Sequence, residues 1–137
     1  MFIKRLWEFT SLVLHQTMKM RVHHKLVVWQ NARKLVKEAY QMTRSFPREE
    51  IFSLTQQIKR ASVSIPANIS EGMGRKTKKD TSRFLTIAHG SAFELETLFI
   101  ISCDLEFIAE DSLIQLLEKT EMITIQLNGL LNKYQTD

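Results

Sequence analysis

The chain has 137 residues, 44% hydrophobic and 25% charged, the size and balance of one globular domain and not of a disordered or fibrous chain. Four glycines and two prolines are too few to turn an all-β protein, so a few long helices are expected. The net charge is +4, but residues 59–83 carry seven basic side chains against two acidic ones, while residues 104–137 carry two against seven.

That asymmetry describes a basic face for phosphate or for an acidic partner. It equally describes oppositely charged helices or subunits attracting one another. The single cysteine, Cys103, excludes a disulfide within the chain and fits a reducing, cytoplasmic home. Its neighbours Phe99, Ile100 and Ile101 read it as a small core residue.

Residues 1–22 stand apart from the rest. Their basic start and apolar run resemble a signal peptide, but Glu8 interrupts the run and no small-residue cleavage site follows. Met18 and Met20 are alternative starts. The segment reads as an extension, or a short peripheral helix, ahead of a domain spanning 23–137. No apolar run approaches the roughly 20 residues that span a bilayer, so no membrane association is expected.

A first helix is expected over 24–43, where Val28, Ala32, Leu35, Val36 and Ala39 follow helical spacing. Pro47 closes it, because the residue before a proline resists helical dihedrals. A second helix is expected over 48–71, with a break near Ser53. Its residues Ile51, Leu54, Ile58, Ala61, Ile65 and Asn68 form a heptad seam. Pro66 lies inside this pattern and removes one backbone hydrogen bond, which Ser62 or Ser64 is placed to compensate. Gly72 is suited to end the helix in a left-handed conformation.

The third helix begins near Thr77, whose hydroxyl caps it with Asp80 three residues on. Phe84, Ala88, Ser91, Leu95, Leu98, Ser102 and Leu105 continue the seam over about 30 residues, or about 45 Å. Gly90 in its middle permits close approach of another helix. The fourth helix, 110–133, carries Leu113, Leu116, Thr120, Ile123, Leu127, Leu130 and Tyr134 at the same spacing. Four such helices on short loops pack most simply as an all-α, up-and-down four-helix bundle.

Catalytic and metal motifs are absent: no CxxC, no HExxH, no phosphate-cradling glycine loop. His15, His23, His24 and His89 lack metal-ligand spacing, so neither a metal nor another cofactor is expected. Asn68, Glu71, Ser91 and Glu94 read as a structural polar network, with Glu94 partly buried against Arg60 or Asn68. The candidate contact surface is basic: Lys59, Arg60, Arg75, Lys76, Lys78, Lys79 and Arg83. Most of it surrounds a glycine loop and the positive end of the third helix, a combination suited to phosphate. A solvated loop with no partner fits the same residues, and no base-stacking aromatic motif accompanies them.

The stretches FPREEIFSLTQQIKRASVSIPANISEGMGR (46–75) and FLTIAHGSAFELET (84–97), with VWQNA (28–32) and LNGL (127–130), strongly resemble the four-helix-bundle family encoded by intervening sequences of bacterial 23S rRNA genes. The resemblance covers about residues 25–133. Ser62 and Ser70 stand where that family usually has alanine, and His89 where a basic or polar residue is common. The resemblance implies a barrel-like homopentamer. It also extends to the accessory variability protein of diversity-generating retroelements, which binds a reverse transcriptase and nucleic acid through a basic surface. The function expected is thus non-catalytic: an oligomer that binds RNA or a nucleoprotein through its basic residues. The alternative is a protein-interaction module that recognises an acidic partner without nucleic acid.

Overall fold

A computed structural model describes Glu8 and residues 21–135; the expected N-terminal extension and its peripheral helix fall almost wholly outside them. Four α-helices account for most of the described chain: α1 (Val27–Thr43), α2 (Leu54–Met73), α3 (Lys78–Asp104) and α4 (Glu110–Lys133). One-turn 3-10 helices at Val22–Lys25 and Arg48–Glu50 precede α1 and α2. No strand occurs among the described residues.

Cross-helix contacts establish the direction of each helix. Trp29 meets Ser70 and Tyr40 meets Lys59, so α1 and α2 run antiparallel. Ser64 meets Ser91 and Gly72 meets Thr81, which does the same for α2 and α3. Asn31 meets Gln126 and Glu38 meets Lys119 across α1 and α4. At one end Phe46 and Phe107 pack with ring centroids 5.2 Å apart, tying the α1–α2 loop to the α3–α4 loop. The result is an up-and-down bundle in which α2 and α4 occupy opposite corners.

The expected apolar stripes form the core. Ala32, Leu35 and Ala39 of α1 meet Ile58, Ile65 and Ile69 of α2, Leu85, Leu95 and Phe99 of α3, and Ile123 and Leu127 of α4, all essentially sealed from solvent. Each large side chain sealed this way contributes on the order of 1.5–3 kcal/mol of transfer free energy. Small residues of α3, Ala88, Ser91 and Ala92, are buried among them and let neighbouring helices approach.

Several local expectations are corrected. Residues 24–26 are not yet α-helical, and α2 starts at Leu54, not at residue 48. Glu50 shapes that start, since its carboxylate accepts from the Leu54 N–H at 3.3 Å. Ile51 consequently leaves the seam and is exposed. At the start of α3 the seam runs through Leu85 in place of the half-buried Phe84, and Leu105 at its end is exposed. Cys103 is free and half-buried, not a core residue.

Gly72 does not adopt a left-handed cap. It lies inside the last turn of α2, and Gly74 follows as C-cap at φ −85°. Its role is close approach: a Cβ there would sit 3.2 Å from both the Phe84 Cβ and the Thr81 carbonyl oxygen. The left-handed residue is Glu106, at φ 62°. There the Phe107 N–H reaches the Ser102 carbonyl and the Glu106 N–H reaches the Cys103 carbonyl, the paired bonds that close a helix C-terminus. Pro66 does not interrupt α2. Neither serine hydroxyl serves the carbonyl it frees: Ser62 donates to the Lys59 carbonyl at 2.9 Å, and Ser64 pairs with Ser91.

By length and composition α3 is long and apolar enough to cross a membrane; its most apolar window has mean hydropathy 1.3 and is 39% buried. Core packing accounts for the buried part. The remainder includes Ile87, Phe93, Ile100 and Ile101, which are exposed.

Candidate nucleic-acid interface

The four-residue link between α2 and α3 is shaped by backbone bonds. The Gly74 N–H donates to the Ser70 and Glu71 carbonyls, and the Arg75 N–H donates to the Gly72 carbonyl, each at 3.1 Å. The Thr81 hydroxyl then donates back to the Gly72 carbonyl at 2.9 Å from the first turns of α3. Thr77 caps α3 as expected, its hydroxyl oxygen accepting from the Asp80 N–H at 3.2 Å. These bonds hold a short loop at the end of the bundle where α3 begins. The helix N-terminus there contributes partial positive charge.

Arg75, Lys76, Lys78, Lys79 and Arg83 are all exposed on this loop and the first turns of α3. Both arginines lie against the same ring: the Arg75 guanidinium carbon is 4.5 Å and that of Arg83 4.9 Å from the Phe84 centroid. Arg75 is also paired with Glu71 at 2.6 Å. That ion pair is exposed and contributes at most about 1 kcal/mol, so its main effect is to orient the guanidinium. Lys76, Lys78 and Lys79 make no ion pair among the described residues. The arrangement is a hydrogen-bonded loop with two guanidiniums beside an aromatic ring and three exposed ammonium groups. It is suited to phosphate oxygens.

The structure does not bring Lys59 and Arg60 to this cluster. They sit on the other half of α2, and at 1.5 Å per residue Arg60 lies roughly 20 Å along the helix from the loop. The Lys59 ammonium stands 4.9 Å from the Tyr40 ring centroid, and both residues line a groove with Tyr40, Ile51, Gln56 and Val63.

The expected polar network is only partly assembled. Asn68 donates to the Ser64 carbonyl at 2.8 Å and to its hydroxyl at 3.0 Å, and that hydroxyl lies 2.7 Å from Ser91 Oγ. Ser64 is therefore the link between Asn68 and Ser91. Glu71 turns outward to Arg75. Glu94 is exposed, with no bond to Arg60 or Asn68, because it lies on the outer side of α3 beside Phe93.

Two features were not expected from the chain. One is Phe84, whose seat against the two arginines depends on the absent side chain of Gly72. The other is a ring cluster at the same end of the bundle. His23 and His24 stand 5.2 and 5.1 Å from Trp29, Arg33 lies over the indole at 4.7 Å, and the indole N–H donates to Ser70 Oγ at 2.9 Å. Burial, then the neighbouring His24 and Arg21, hold the His23 imidazole below the usual histidine value. Among the described residues no group of three or more His, Cys, Asp or Glu is gathered for a metal ion.

Fold and site together define an antiparallel four-helix bundle that carries an exposed cationic loop at one end. The sequence profile of the 23S rRNA-intervening sequence proteins matches residues 24–129, and the chain belongs to that family. A crystal structure of a protein of unknown function from the S23 ribosomal protein family of Bacteroides thetaiotaomicron VPI-5482 is similar in fold. Its TM-score is 0.70 at 22% identity, and the match covers 77% of this chain and 98% of that one. No curated protein matches the chain.

Proposed function

We propose that the protein is a non-catalytic, cytoplasmic oligomer that binds structured RNA, or a nucleoprotein containing it, through the α2–α3 loop. The observation that carries this reading is the exposure of Arg75, Lys76, Lys78, Lys79 and Arg83 on one short loop and the first turns of the helix it opens. Five cations in one patch supply salt-dependent affinity for phosphate without reading sequence. In the homopentamer implied by the resemblance, five such loops multiply a weak contact through avidity. A reverse transcriptase complex is the nucleoprotein suggested by the likeness to retroelement accessory proteins.

Native mass spectrometry of the protein purified with and without nuclease tests the reading. The expected result is a homo-oligomer whose mass falls on nuclease treatment while its protein stoichiometry is kept. A mass unaffected by nuclease, together with co-purification of an acidic protein, would favour the alternative module that recognises an acidic partner. The local charge excess supports that alternative equally; the oriented arginines beside an aromatic ring favour RNA.

A further inference from the structure

The two basic residues left outside the loop cluster point to a different surface. Lys59 and Arg60 line an open groove of about 460 Å³ on the outer side of α1 and α2, walled by Tyr40, Ile51 and Val63. Beside Ile51 stands Phe52, 88% exposed, and Val63 is 41% exposed. Going along this face, apolar side chains flank a basic centre. Neither cation has a carboxylate partner among the described residues.

The opposite corner of the bundle carries the complementary pattern. On α4, Ile114, Glu118, Glu121 and Ile125 recur at spacings of 4, 3 and 4, which puts all four on one stripe. All four are exposed, with Ile114 at 55% and Ile125 at 63%. The nearest lysine in sequence, Lys119, is turned away to Glu38 at 2.7 Å, and among the described residues neither Glu118 nor Glu121 has an ion-pair partner. Here apolar side chains bracket an acidic centre. Ile114 and Ile125 are about 16 Å apart along α4.

We infer that the α4 stripe of one copy seats in the α1–α2 groove of a second copy, Glu118 and Glu121 facing Lys59 and Arg60. This rests on the self-association in the proposed function and assigns its interface. Three features of the surface share one explanation: cations without a carboxylate partner, carboxylates without a cation, and solvent-facing apolar side chains beside each (Ile51, Phe52 and Val63 at the groove, Ile114 and Ile125 on the stripe). Contact between the two faces neutralises the charges and buries the apolar flanks in one step. Because α2 and α4 lie at opposite corners, the pairing is heterologous. Each copy offers a free groove at one side and a free stripe at the other, so association continues until a ring closes. The RNA-contacting loop lies beyond the groove on α2 and stays accessible.

The test is sedimentation velocity on the nuclease-treated full chain at low salt. Wild type is expected to sediment as a closed oligomer. The reversals Lys59→Glu with Arg60→Glu, and Glu118→Lys with Glu121→Lys, are each expected to give monomer with unchanged helical circular dichroism. The four changes combined restore the oligomer, because the charges again oppose. The neutral pair Glu118→Gln with Glu121→Gln, too mild to unfold an exposed helix face, is expected to raise the dissociation concentration at least about tenfold. A monomeric wild type overturns both this inference and the self-association it rests on. An oligomer indifferent to either reversal or to the neutral pair, or a combined variant that stays monomeric, overturns the interface alone.

Discussion

Gly72 and Gly90 are both helical glycines, and their surroundings give them opposite roles. A methyl group at Gly72 would press on the backbone carbonyl of Thr81 at 3.2 Å, an atom that cannot rotate away. Gly72→Ala is therefore expected to cost about 1–3 kcal/mol, the usual range for overpacking a tight contact. At Gly90 nothing lies within 4 Å, so Gly90→Ala gains helix propensity, up to about 1 kcal/mol. Urea unfolding of the two variants checks both signs. His23 supplies a pH effect. Burial, the nearby His24 and Arg21 lower its folded-state value below the ordinary 6.5. Above that pH neither state binds a proton there; as the pH falls below it, the unfolded chain binds first and stability is lost until the lowered folded value is passed. The Trp29 environment in a Trp7→Phe background is expected to loosen as pH falls from about 7 to about 5. Fluorescence-detected unfolding follows it, and His23→Gln is expected to flatten the dependence.

The starts of α2 and α3 are each marked by a local bond, from the Glu50 carboxylate and the Thr77 hydroxyl. Thr77→Ala removes the acceptor for the Asp80 N–H and is expected to lower the urea midpoint of unfolding by the equivalent of about 1 kcal/mol. That cap was legible in the sequence because hydroxyl, spacing and helix start coincide within four residues. The four helices were legible for a similar reason: seams such as Ile58, Ala61 and Ile65 repeat often enough to outweigh local noise. The boundaries at Val27 and Leu54 were less so, since 3-10 turns use the same residues with a different hydrogen-bond step. Gly72 and Glu94 show where periodicity stops informing. Gly72 looked like a helix end because glycine commonly is one, but its role is set by Phe84 and Thr81, twelve and nine positions away. Glu94 borders the seam in sequence yet faces outward. Ser64 joins Asn68 to Ser91 only because α2 and α3 are antiparallel in one register, which no single helix encodes.

At the scale of the whole molecule the charge asymmetry separates in space. The basic loop crowds one end of the bundle, while Asp104, Glu106, Glu110 and Asp111 crowd the α3–α4 link at the other. Lys59 and Arg60 belong to neither end, because about four turns of α2 lie between them and the loop and carry them roughly 20 Å away. In the proposed function the loop meets RNA, and the sides of the bundle meet copies of the same chain. The most direct test of the central claim is the affinity for a structured RNA measured by fluorescence anisotropy across a salt series. The wild type is compared with a Lys76→Ala, Lys78→Ala, Lys79→Ala variant. The account predicts that log affinity falls linearly with log salt and that the variant lowers the slope by about 2 to 3 per protomer engaged, since each lost phosphate contact contributes about 0.7 to 0.9. Affinity that does not change with salt, or a triple variant that binds as tightly as wild type with the same slope, would contradict it.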